Sequence, residues 1–169
     1  MPLPEAIALP GVVLTDAWTR RPLHYPAHQA LTRHRKYAML FCGGEELVPR
    51  TEVILYAEFA GSCPVLEWLD RQEKKAQDKC IVRIERLAEL GHELRRPEAD
   101  LLEDGVYELR ASHRRIHYRI LYFFHEGAAV LAHGLVKEAK VPNADIERVK
   151  RRRDAYLASP QTHTYREPG

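Results

Sequence analysis

Apolar positions change their spacing several times along the chain. In residues 1–50 they keep no period at all: stretches such as TRRPLHYPAHQALTRHRK are rich in proline and in segregated polar patches, with neither the period of 2 nor that of 3.6 sustained. This segment is expected to be a poorly ordered or loosely packed extension, and Met39 within it is a second possible start. From Thr51 onward local signals agree. EVILYAEF is rich in β-branched and aromatic residues and reads as a first strand, ended by Gly61 and Ser62. Pro64 suits the first turn of a short helix carrying Val65, Leu66 and Leu69. A second helix, from about Lys74 to Leu90, puts Ala76, Cys80, Ile81, Ile84, Leu87 and Ala88 on one face and stops at Gly91. Together they predict a helical hairpin.

HELRRPEADLLEDG reads as a connecting loop, with Leu101 and Leu102 tucked into the core and a turn at Asp104–Gly105. A period of 2 then returns in three runs, about 106–112, 116–125 and 128–137, which short polar breaks join into an antiparallel meander. Alternation sends Tyr107, Leu109 and Ala111 one way and Glu108 and Arg110 the other; Ile116, Tyr118, Ile120 and Tyr122 likewise oppose His117, Arg119 and Leu121. The final helix begins after Pro142 with Asn143 as N-cap, and Ile146, Val149, Arg153 and Tyr156 share a face. The order β-α-α-β-β-β-α predicts an α+β fold: a small antiparallel four-stranded sheet, a helical hairpin on one face, a C-terminal helix, and the opposite face free to bind something. The expected organisation is an extension over 1–50, a folded domain over 51–158 and a flexible tail over 159–169.

Composition adds few constraints. The 169 residues, 45% hydrophobic and 30% charged, fit one globular domain. No apolar run is long enough to span a membrane. The stretch from Ala6 to Leu14 is broken by Pro10 and Gly11 and lacks basic residues ahead of it, so it makes a poor signal peptide and a cytoplasmic protein is expected. Cys42, Cys63 and Cys80, odd in number and without C-x-x-C spacing, read as buried thiols. His24, His28 and His34 have no carboxylate or Cys at ligand spacing and read as solvated. No metal or cofactor is expected.

Charge changes the picture more. The net charge is only +2, yet residues 51–105 hold 8 Lys+Arg against 13 Asp+Glu, and residues 106–156 hold 11 against 6. A basic half points to a polyanionic partner.

LLEDGVYELR, IHYRILYFF and VLAHGLVKEAKVP, followed by a basic helix, give the chain between Glu52 and Leu157 a pattern that resembles the RelE/HigB superfamily of toxins from bacterial toxin-antitoxin modules. More narrowly it is similar to the phage-derived HigB-like branch, where a G-hydrophobic-Y-E-L-R strand precedes a Y-R-I/L strand and an H-G-F/L-x-K segment. The resemblance implies a RelE-like fold and a small ribonuclease, an mRNA interferase that cuts message in the ribosome. It also implies a cognate antitoxin of helix-turn-helix type as partner, besides ribosome and mRNA. The chain departs from the pattern in LVKEAKVP, where Glu138 follows Lys137 in place of a longer Lys-rich run.

Cleavage of RNA by its own 2′-hydroxyl needs a base, an acid for the leaving 5′-oxygen, and cations for the pentavalent phosphate. Arg110, Arg119, His133 and Lys137 are expected to form that cluster on one face of the sheet. Arginine stays charged and suits the phosphate. His133 and Lys137 are the acid/base pair, with their order open. Arg114, Arg115, Lys140, Lys150 and Arg151 are expected to contact RNA backbone. The competing readings are a hydrogen-bonded core histidine at 133, solvated strand arginines, and a basic helix that merely faces water or an acidic antitoxin segment. For the whole protein, the alternatives are a gyrase inhibitor of the same fold and a non-enzymatic binding module.

Overall fold

The structure, a computed structural model, describes residues 51–137 and 140–166. The expectations for residues 1–50, including His24, His28, His34, Met39 and Cys42, lie outside the described residues, as does Glu138.

β1 (Val53–Leu55) is short and buried at every position. α1 (Pro64–Asp70) starts on proline, and α2 (Lys74–Leu90) ends at Gly91, whose N–H bonds Leu87 O. Gly91 has φ +51, and a Cβ there would overlap the side chain of Thr51, so glycine both permits the left-handed turn and lets β1's approach lie against the helix end. β2 (Ala99–Glu103), β3 (Val106–His113), β4 (Ile116–His125) and β5 (Ala128–Lys137) follow, and α3 (Asn143–Ala158) closes the order.

The sheet has five strands in the order β1-β5-β4-β3-β2, antiparallel except for the parallel pair β1 and β5. The α+β class, the hairpin and the C-terminal helix match expectation. Three details differ. The stretch expected to be a loop contains β2, because its backbone pairs with β3 although only Ala99 of its side chains is buried. An edge strand carrying Asp100 and Glu103 needs no apolar alternation, and its charges discourage pairing with other chains. Leu101 is correspondingly exposed rather than tucked into the core. Asn143 is already helical; Pro142 holds the N-cap position without a side-chain cap.

The third difference concerns the face opposite the hairpin. One face packs Leu55, Leu109, Ile120, Tyr122 and Leu131 against Val65 and Leu69 of α1 and Ile81, Ile84 and Leu87 of α2. The other packs Ile54, Val106, Leu121, Phe123 and Val130 against Ile146, Val149 and Tyr156 of α3. That second face is therefore free only beyond the helix, since the apolar stripe of α3 needs a surface to bury. Cys63 and Cys80 are buried free thiols, and burial pushes each up to about 12, which keeps them unreactive. Within the segment expected to be a flexible tail, Ala57 N–H donates to His163 O and Tyr165 N–H to Leu55 O, and Thr164 bridges Tyr56.

Candidate active site

Register places Arg110 opposite Arg119, Arg119 opposite Leu135, and His117 opposite Lys137. Arg110, Arg119 and Lys137 therefore come to the same face of three adjacent strands, the α3 face. Like charges facing one another across strands repel. The side chain that resolves this is Glu108, two residues before Arg110 on the same strand face and only 1% exposed. Its Oε1 accepts from Arg110 Nε at 2.9 Å; its Oε2 lies 3.0 Å from Arg119 Nε and 3.6 Å from Lys137 Nζ. The Arg119 contact is an ion pair whose N–H does not aim at the oxygen, so Oε2 and that N–H both lack a well-directed hydrogen bond. A buried carboxylate thus sits under three cations, and one of its oxygens is held by charge alone.

These cations are only partly wet. Side-chain exposure is 28% for Arg110, 12% for Arg119 and 13% for Lys137. Burial depresses the Lys137 ammonium below its ordinary range; Glu108 opposes that, while Arg119 and Arg110 add to it. Burial likewise lowers Arg119, against Glu108, although a guanidinium stays protonated at any ordinary pH. The cluster opens onto a groove of about 290 Å³ lined by Asp100, Glu108, Arg110, Lys137 and Lys140. Asp100 Oδ2 holds Arg110 Nη2 at 2.8 Å and Arg96 Nη2 at 2.6 Å, carrying the alternation of charges out to the sheet edge.

His133 is not part of this group. A bulge in β5 pairs Leu121 with His133 but Tyr122 with Leu131, and the imidazole turns toward α3. Arg152 Nη1 lies 3.3 Å from Nδ1, and Asp145 Oδ1 is 3.1 Å from Nε2. With Arg152 donating to Nδ1, the neutral ring carries its proton on Nε2, directed at Asp145. Arg148 Nη1 then serves Asp145, at 2.5 Å. Burial lowers the His133 pKa; Asp145 opposes, and Arg152 and Arg148 reinforce the drop. Leu135 separates His133 from Lys137 on the same strand face, and at about 3.3 Å per residue their Cα atoms are ~13 Å apart. His133 lines a separate cleft of about 320 Å³ with Glu58, Arg71, Arg148 and Arg152. Next to it, Trp68 lies so closely on Gly134 that a Cβ at 134 would overlap the indole.

The candidate backbone contacts are scattered. Arg114 and Arg115 form the exposed β3–β4 turn, both with positive φ, and Arg114 pairs with Glu73 at 3.3 Å. Lys140 is exposed beside the groove. Lys150 is gripped by Glu103, Asp104 and Glu147 at 2.6 to 2.9 Å, which raises its pKa and leaves little charge for a phosphate. Arg151 is exposed. Sequence reasoning overlooked Glu108, Asp100, Asp145, Arg148 and Arg152 as site groups. For Glu108 a signal existed: it alternates onto the arginine-bearing face of YELR.

Among the described residues, no group of three or more His, Cys, Asp or Glu is placed to hold a metal ion, and no helix is long and apolar enough to cross a membrane. Residues 67–154, from α1 through most of α3 and including the whole cationic groove, match the family model described as Phage derived protein Gp49-like (DUF891). No curated protein matches the chain.

Proposed function

The chain belongs to the phage-derived Gp49-like family, which is associated with toxins of toxin-antitoxin modules of the RelE/HigB type, and on that premise we propose that it is an endoribonuclease cutting mRNA in the ribosome. The observation that carries this reading is the convergence of Arg110, Arg119 and Lys137 on Glu108, at the wall of an open groove that Arg110 and Lys137 line. Arg110 and Arg119 take the non-bridging oxygens of the scissile phosphate, where fixed guanidiniums stabilise the pentavalent state. Lys137, whose ammonium is depressed by burial, moves a proton at the 2′- or 5′-oxygen. His133 becomes its partner acid or base only by turning away from Asp145 toward the groove. Arg114, Arg115, Lys140 and Arg151 hold RNA or ribosomal backbone, and Lys150 does so only after leaving its carboxylates. A cognate helix-turn-helix antitoxin covers the groove, and the reaction takes place in the cytoplasm.

One observation favours a second reading. Glu108 already neutralises part of the cluster, as it would in a module that binds a partner without cutting RNA. Adding the full chain to a bacterial translation extract and mapping message ends separates the two. Cuts within codons, lost by about 10²–10³-fold in Arg119→Ala, support the nuclease. Intact message with loss of DNA supercoiling indicates a gyrase inhibitor, and neither effect indicates the binding module.

A further inference from the structure

A second hollow lies across β2 from the cationic groove. It has a volume of about 480 Å³ and is walled by Leu94, Arg95, Arg96, Asp100, Leu101 and Tyr107. Groove and hollow share Arg96, Asp100 and Leu101, so the edge strand forms a low rim between them. The two sides differ in chemistry: the groove sets Arg110, Lys137 and Lys140 among Asp100, Glu103 and Glu108, while Leu94, Leu101 and Tyr107 give the hollow an apolar and aromatic floor. Tyr107 stacks on Tyr122 with centroids 5.4 Å apart and planes at 27°, and Phe124 holds it edge-on, so the ring is fixed where it lines the hollow. Leu101 is 55% exposed in the middle of a strand, an apolar surface that no other described residue covers fully. Arg95, tethered to the His92 carbonyl, and Arg96, tethered to Asp100, place guanidiniums at its border.

A rigid aromatic ring with an apolar neighbour and flanking guanidiniums is how proteins hold an unstacked base of single-stranded RNA. We infer that this hollow binds the base of a nucleotide flanking the scissile phosphate. The inference rests on the RNA-cleaving reading of the groove. It favours RNA over a peptide side chain because the chain Arg110–Asp100–Arg96 joins the hollow to the phosphate site, whereas a purely apolar side chain needs no guanidiniums beside it. The pocket would give the nuclease a base preference beside the cut.

The test is binding, not cutting. Non-cleavable 2′-O-methyl hexanucleotides, each with one 2-aminopurine or one abasic position, are titrated against the full chain at low salt. The expected result is quenching of 2-aminopurine at one position, with the abasic change at that position weakening binding about 5- to 150-fold. Leu101→Glu, an exposed substitution, should abolish both effects, read as the ratio of affinities for the intact and the abasic strand within the variant. Arg119→Ala should weaken every oligonucleotide alike. If binding depends on Arg119 but no abasic position matters, the hollow holds no base and the groove reading survives. If Leu101→Glu leaves base dependence intact, or impairs only capture of the antitoxin, the hollow is a protein contact and the inference falls. If no oligonucleotide binds at all, the inference falls, and the groove reading is decided separately by cleavage in the translation extract.

Discussion

Replacing Glu108 by glutamine keeps the shape of the side chain and removes the one negative charge beneath Arg110, Arg119 and Lys137. The carboxylate is 1% exposed, and its partners lie within 2.8 to 3.6 Å. Breaking a buried ion pair by removing one partner costs about 3–5 kcal/mol. Arg110 is 28% exposed and keeps Asp100, so the lower end, ~3 kcal/mol, applies. For a domain of this size that corresponds to a fall in Tm of about 10 °C. The loss has a second signature. Three cations at close range, of which Arg110 alone keeps a carboxylate, repel, and sulfate can take the vacated place, so the variant should regain stability in sulfate, by ~2.7 kcal/mol at a hundredfold excess over Kd. The wild type, whose cluster already holds its own anion, should gain much less. Thermal melts followed by circular dichroism in chloride and in sulfate at matched ionic strength measure both effects. A Glu108→Gln protein that melts within about 2 °C of wild type, or one that sulfate does not rescue preferentially, refutes the argument that this carboxylate holds the cations together.

Three further outcomes are expected. Gly134→Ala forces a methyl group into the Trp68 indole and should cost about 1–3 kcal/mol in a denaturant titration, with an unchanged midpoint telling against the tight packing. His133 titrates lower folded than unfolded, so the unfolded chain binds the extra proton first. Stability should fall as pH drops through about 6.5 and level off below the folded value, and His133→Gln should flatten that part of a Tm-against-pH curve; a curve identical to wild type would contradict the assigned burial. Arg151→Ala should weaken binding to single-stranded RNA and reduce its salt slope by about one, while Lys150→Ala, whose ammonium three carboxylates already occupy, should change neither; the reverse ranking in a salt-dependent titration would sink this distinction.

Much of the fold was legible because strands with a buried face must alternate. Tyr107, Leu109, Tyr118, Ile120 and Tyr122 could only face the hairpin core, and that fixed Arg110 and Arg119 on the other side. β2 was not legible, since an edge strand with one buried side chain leaves no periodic trace and exists through its backbone partners. Glu108 was missed for a different reason. A lone glutamate reads as solvated, and its burial depends on cations from two other strands whose registers a sequence does not print. The expectation that His133 joins Lys137 took an even spacing of four as sufficient, but a shared face does not mean a shared point, and the bulge in β5 together with Asp145 and Arg152 commits the imidazole to α3.

Among the described residues, the backbone partners that flank β1 come late in the chain: β1 runs beside residues 129–131 of β5, and residues 163–165 bond its other flank. A nascent copy therefore leaves the ribosome with β1 waiting on both sides, and contacts so distant in sequence form slowly. Lys137 enters with the last strand and α3 lies later still, so no partial product can assemble the basic groove.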